Sequence, residues 1–189
     1  PSAYRWGAQG VSPLRMYHAP LPSPLHHAAA ELRTQPPAQL FEALCRAACG
    51  AHNTAALAYV FGFCTNYALS RVTSRFIDDQ ADRLVTYMPG LSAAARRQLA
   101  ASDIDGIMIE DYIDTASAGY AAYRLLDADA PECTAAARVL AQAVHATLGT
   151  HVSPAAVYRG MHDMRHILRL AHGGVPVRSR LQKLEHLLG

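Results

Sequence analysis

Lysine is nearly absent: Lys183 stands alone among 17 basic residues, which 15 acidic ones balance to a net charge of +2. A chain with no basic tract lacks the patch that nucleic acid or anionic lipid requires, so no nucleic-acid partner is expected. No run of eighteen apolar residues occurs, which argues against a transmembrane helix. The opening "PSAYRWGAQG" lacks the charged-then-apolar order of a signal peptide, and a cytoplasmic location is the expectation. CxxC spacing is missing too. Cys45 and Cys49 lie one helical turn apart, Cys64 sits in an apolar stretch and Cys133 is remote, a pattern that predicts buried free thiols rather than a zinc or redox pair. Neither GxSxG, nor a phosphate-cradling loop, nor GxGxxG is found, so nucleophilic and nucleotide chemistry have no visible carrier. "WGAQG" at 6 to 10 precedes no strand-to-helix unit and reads as a turn.

Apolar residues make up 51% of the 189 and alanine is frequent, enough for one domain over 1–189 with a sizeable core. Ile, Val and Thr never alternate with polar residues over a strand's length, so no sheet is predicted. Residues 1–23, with four prolines and two glycines, read as an irregular lead-in. Ser23 and Pro24 open a helix to about 33, and Pro36 and Pro37 start another that Gly50 is placed to end in a left-handed conformation. Asn53 caps a long helix with a break near 70–75, apolar nearly all round in its first half, which predicts a central element covered by neighbours. Ser92 and Ser102 look like caps of two further helices. Helices over about 131–148, 154–171 and 177–188 complete an all-α bundle of seven or eight.

Within "AYVFGFCTNYALSRVTSRF", Asn66, Ser70 and Ser74 recur every four residues, so they stack on one helical face with Cβ atoms about 5–6 Å apart. An apolar helix has no packing use for such a ladder. Elsewhere His162 and His166 form an HxxxH pair, but Met161, Met164, Ile167, Leu168 and Ala171 define the inward stripe and leave both histidines toward Arg165 and Arg169. His26 and His27 occupy the first turn of their helix, where a side chain can point across a cleft. Asp103, Gly106, Glu110 and Asp114 share a face of the acidic helix, while Asp78, Asp79 and Asp82 read as a solvated surface.

Taken in order, these stretches resemble the bacterial zinc-dependent phospholipase C family, an all-helical fold also used by single-strand-specific nucleases. "WGAQGVSPLRMYHAPLPS" resembles its opening GAQGPD segment, and "PLHHAAAELRTQPPAQLFEAL" the next helix, where a ligand histidine begins the turn. "AYVFGFCTNYALSRVTSRFI" resembles the central GFxxHYALDxxxHPYI helix, "DIDGIMIEDYID" the segment with a His and a Glu one turn apart, and "YRGMHDMRHILRL" the late helix. The resemblance implies a site for up to three zinc ions. Carried across, the family's Asp falls on Ser12, the central His, Asp and His fall on Asn66, Ser70 and Ser74, and a later His falls on Gly106. Only His26 or its neighbour His27, and Glu110, keep a ligand type.

A catalytic zinc needs about three N, O or S ligands and an open position for water, and hydroxyls and amides replace imidazole and carboxylate poorly. Without the ion nothing lowers the pKa of water toward about 7. The resemblance with these replacements implies a catalytically silent relative, no cofactor, and retention as a binding or interaction module whose partner and oligomeric state the sequence does not name. The alternative is an active phosphoric-ester hydrolase that holds zinc in a reduced or relocated site with His26, His27, Glu110 and also His18 or His52. In a third reading the Arg-bearing C-terminal helices are a scaffold for a partner. If the family's cleft survives, Tyr59, Phe63, Tyr67 and Tyr112 line it.

Overall fold

The computed structural model describes residues 2–114 and 120–172. Among them are eight α-helices and one short 3-10 turn, with no strand: α1 Ser2–Gly7, α2 Ser12–Met16, α3 Pro24–Leu32, α4 Pro37–Gly50, α5 Thr54–Tyr87, α6 Ala93–Ile113, the turn Ala122–Arg124, α7 Glu132–Leu148 and α8 Pro154–His172. The all-α expectation is met. The helix expected over 177–188 lies outside the described residues. None of the described helices is long and apolar enough to cross a membrane.

The chain divides into two compact units, Pro1–Asn66 with Ala122–Gly189, and Tyr67–Ala121. In the first, α7 is the helix surrounded by others, packing against α1, α3, α4 and α8. Its sequence explains this. Ala136, Ala137, Ala141 and Ala143 are small enough to let neighbours approach from several sides, while Val139, Leu140 and Val144 fill the space between them. The lead-in is not irregular: it forms α1 and α2 and supplies the core with Trp6, Pro13 and Leu14, all fully buried. The Trp6 indole N–H donates to the Asp127 carbonyl at 2.9 Å, so this ring is both packed and satisfied. Pro13 lies at the start of α2, where a missing N–H costs nothing.

Several caps stand where the residue types place them. Ser23 Oγ accepts from Leu25 N, Asn53 Oδ1 from Ala55 N, and Ser92 Oγ from Ala95 N. Gly50 does not terminate α4 in a left-handed conformation. The helix runs through it, Ala51 stays right-handed, and His52 takes the positive φ of 47°. Ser102 caps nothing, because α6 continues past it without interruption, and α5 likewise runs unbroken through 70–75.

The expectation that α5 is covered by neighbours also fails. In the first unit Tyr59, Val60 and Phe63 are buried, but Phe61 is 67% exposed. In the second unit α5 buries Ala81, half-buries Ile77 and Leu84, and leaves Leu69, Val72 and Phe76 outward at 61%, 81% and 54% exposure. Arg97 Nε on α6 meets Asp78 Oδ1 on α5 at 2.6 Å. A second apolar stripe of this helix, Leu69, Val72 and Phe76, thus faces out, and Ser70 and Ser74 lie on the side away from it.

Candidate functional site

The first rung of the polar ladder is spent on the N-terminal segment. α1 crosses α5 with backbone against backbone: a Cβ at Gly7 would lie 2.0 Å from the Tyr59 carbonyl oxygen, and one at Gly62 would lie 2.0 Å from that of Tyr4. Only glycine at both positions permits this approach. It brings residues 8–10 onto Asn66, whose Nδ2 donates to the Ala8 carbonyl at 2.8 Å. Gly10 is left-handed, with φ of 58°, and a Cβ there would sit 2.6 Å from Asn66 Oδ1. The "WGAQG" turn is therefore the seat of Asn66, and the half-buried amide ties two chain segments together as buried polar groups require.

The remaining carried-over positions do not rebuild a metal centre. Ser12 is half-buried at the start of α2, its N–H donating to Gln9 O at 3.1 Å. His26 Nε2 lies 2.9 Å from the Tyr17 carbonyl. A carbonyl only accepts, so Nε2 carries the proton, an arrangement that also orients a ligating imidazole. One such donor does not hold zinc. His27 is exposed. Ser70, Ser74, Gly106 and Glu110 belong to the second unit: Ser70 and Glu110 are exposed, Ser74 Oγ donates to Arg71 O at 3.4 Å, and Gly106 brings no side chain. Among the described residues no three His, Cys, Asp or Glu side chains converge in a group able to hold a metal ion, and the residues present therefore do not fit the family's zinc cluster.

The supposed cleft-lining aromatics divide. Tyr59 and Phe63 are core, ring against ring at 6.2 Å, whereas Tyr112 is 78% exposed. Tyr59 is fully buried and its hydroxyl has no hydrogen-bond partner among the described residues; burial pushes this phenol above its ordinary pKa. Of the cysteines only Cys133 is buried, whereas Cys45, Cys49 and Cys64 are exposed. Cys45 and Cys49 lie on the side of α4 away from its buried residues Leu40, Ala43, Leu44 and Ala48. Burial first, then the nearby Asp127 carboxylate, raises the Cys133 thiol to about 11.

Two features of α8 escape a reading by motif. Asp163 accepts the backbone N–H of His18 at 2.9 Å through one carboxylate oxygen and Arg159 Nε at 2.9 Å through the other. The carboxylate thereby holds His18 in its left-handed conformation, with φ of 53°. Arg165 reaches Asp129 at 3.1 Å, with His162 at 3.7 Å from the same carboxylate. These pairs clamp the 17–18 and 127–130 loops onto α8, a structural use of the HxxxH helix. The i,i+4 spacing of Arg159 and Asp163 was the available signal, but their grip on His18 is tertiary. Compared with protein-family models, curated proteins and solved structures, the chain finds no match in any of the three.

Proposed function

We propose that this chain is a metal-free relative of the zinc-dependent phospholipase C family, catalytically silent and retained as a binding or interaction module. The observation that carries the reading is Asn66. At the position of a family ligand histidine stands an amide whose Nδ2 is committed to Ala8 O and whose Oδ1 is packed on Gly10. That arrangement stabilises the fold and offers no imidazole to an ion. The serines at the next two rungs, where the family has Asp and His, carry no charge, so this face of α5 folds without a carboxylate that an absent ion would leave uncompensated. The outward Leu69, Val72 and Phe76 support the interaction half of the reading, since apolar surface of this kind is what binding faces carry.

Hydrolysis tests the silent half. With a generic phosphodiester as substrate, the purified chain should give the same background rate with added zinc, with chelator and with neither. Zinc-dependent turnover that chelator abolishes, and that His26→Ala removes, would establish the active alternative instead.

A further inference from the structure

A second feature of the first unit stands apart from the vacated metal positions and shares no residue with them. Between α4 and α7 lies an open cleft of about 450 Å³, within the size range of small-molecule sites. Its floor is apolar and low, built from Ala43, Ala47, Val139 and Ala146. Along α7 the lining runs from Ala135 to Ala146, a length of about 16 Å at 1.5 Å per residue.

The polar groups on the cleft are two guanidiniums and two carboxamides: Arg46, Arg138, Gln142 and Asn53 line it, and among the described residues no carboxylate does. Arg46 is drawn to Glu42 one turn earlier on α4, at 2.5 Å, with both side chains largely exposed. Among the described residues Arg138 pairs with no acid. Asn53 uses its Oδ1 on Ala55 N, which leaves its amide hydrogens as donors. Three carbonyls at the end of α4 are engaged, since Ala51 N donates to Ala47 O and Ala48 O and His52 N to Cys49 O. Guanidinium groups beside an apolar trough match a ligand with one oxyanionic head and one apolar body.

We propose that the α4–α7 cleft binds a small amphiphile of this class, its carboxylate or phosphate monoester head at Arg138 and Arg46 and its apolar chain along the alanine floor. The test is a titration of the isotope-labelled full chain, followed by amide NMR, with decanoate, decyl phosphate, decanol and inorganic phosphate, each below its micellar concentration. Saturable shifts confined to residues 43–53 and 135–146 are expected with decanoate, decyl phosphate or both, and the stronger of the two identifies the head group. Arg138→Gln should weaken binding about tenfold, Glu42→Gln should strengthen it by releasing Arg46, and Ala47→Trp should abolish it by filling the floor. Decanol binding as tightly as decanoate, inorganic phosphate binding as tightly as decyl phosphate, shifts centred elsewhere, or an affinity indifferent to Arg138→Gln would each overturn the proposal. Circular dichroism of the variants separates misfolding from lost binding. Failure here would leave the metal-free reading untouched, because zinc content and phosphodiester hydrolysis are measured independently of this cleft.

Discussion

Replacing Gly62 by alanine should unseat α1 from α5. The added Cβ would lie 2.0 Å from the Tyr4 carbonyl oxygen and 2.8 Å from the Ala8 amide nitrogen, whereas a carbon and a carbonyl oxygen settle at about 3.3 Å. The helices must therefore separate by about 1.3 Å, and no side chain can swing away, because both obstacles are backbone. Overpacking of this kind costs about 3 kcal/mol at the upper end of its usual range, and alanine returns about 1 kcal/mol of helix propensity. The net loss is about 2 kcal/mol, or roughly 4–8 °C in Tm for a chain of this size. Gly50 is the internal control: it lies in α4, and a Cβ there would meet nothing within 4 Å, so Gly50→Ala should gain about 0.5–1 kcal/mol. Urea unfolding reports the difference through the fluorescence of Trp6, the chain's one tryptophan, which is fully buried on α1. If Gly62→Ala proves as stable as Gly50→Ala, the backbone-to-backbone crossing is refuted.

Tyr59→Phe should stabilise the protein by about 1 kcal/mol or more in the same assay, since it removes a buried hydroxyl that has no partner among the described residues; a loss of stability would mean that the hydroxyl is hydrogen-bonded. The Cys133 thiol, raised in the folded state to about 11 from its ordinary value of 9.0, stays protonated in a window where the unfolded chain has lost its proton. Stability from this group is therefore whole below pH 9 and falls as pH rises from 9 to 11. Unfolding curves across that window should drop more steeply for the parent than for Cys133→Ala, and parallel slopes would contradict the assignment. Val72→Gln, at a position 81% exposed, should change Tm by no more than about 0.5 kcal/mol allows; a large drop would show that this face of α5 is packed.

Helix type was legible wherever local chemistry decides it. Ser23, Asn53 and Ser92 cap as their side chains dictate, and Pro24 and Pro37 begin helices where their missing N–H is harmless. The lead-in was illegible because what orders it is distant: Trp6 on Asp127 O, and Gly7 on the backbone of α5. Ser102 misled because its capping propensity is weaker than the continuity of α6 around it. The choice of centre went to α7 over α5 for a reason of size. Alanines admit neighbours on several sides, whereas the bulkier Phe61, Leu69 and Val72 of α5 face outward. Of the candidate site, the sequence gives only the residue types at the positions that the resemblance singles out, and only the fold shows that Asn66 makes a structural bond to Ala8.

The most direct test of that account is the zinc content of the untagged chain, measured by elemental mass spectrometry after equilibration with zinc and buffer exchange. The account predicts well under one ion per chain and no difference between the parent and Glu110→Gln. One or more ions retained per chain, and lost on substitution of Glu110 or His26, would contradict it.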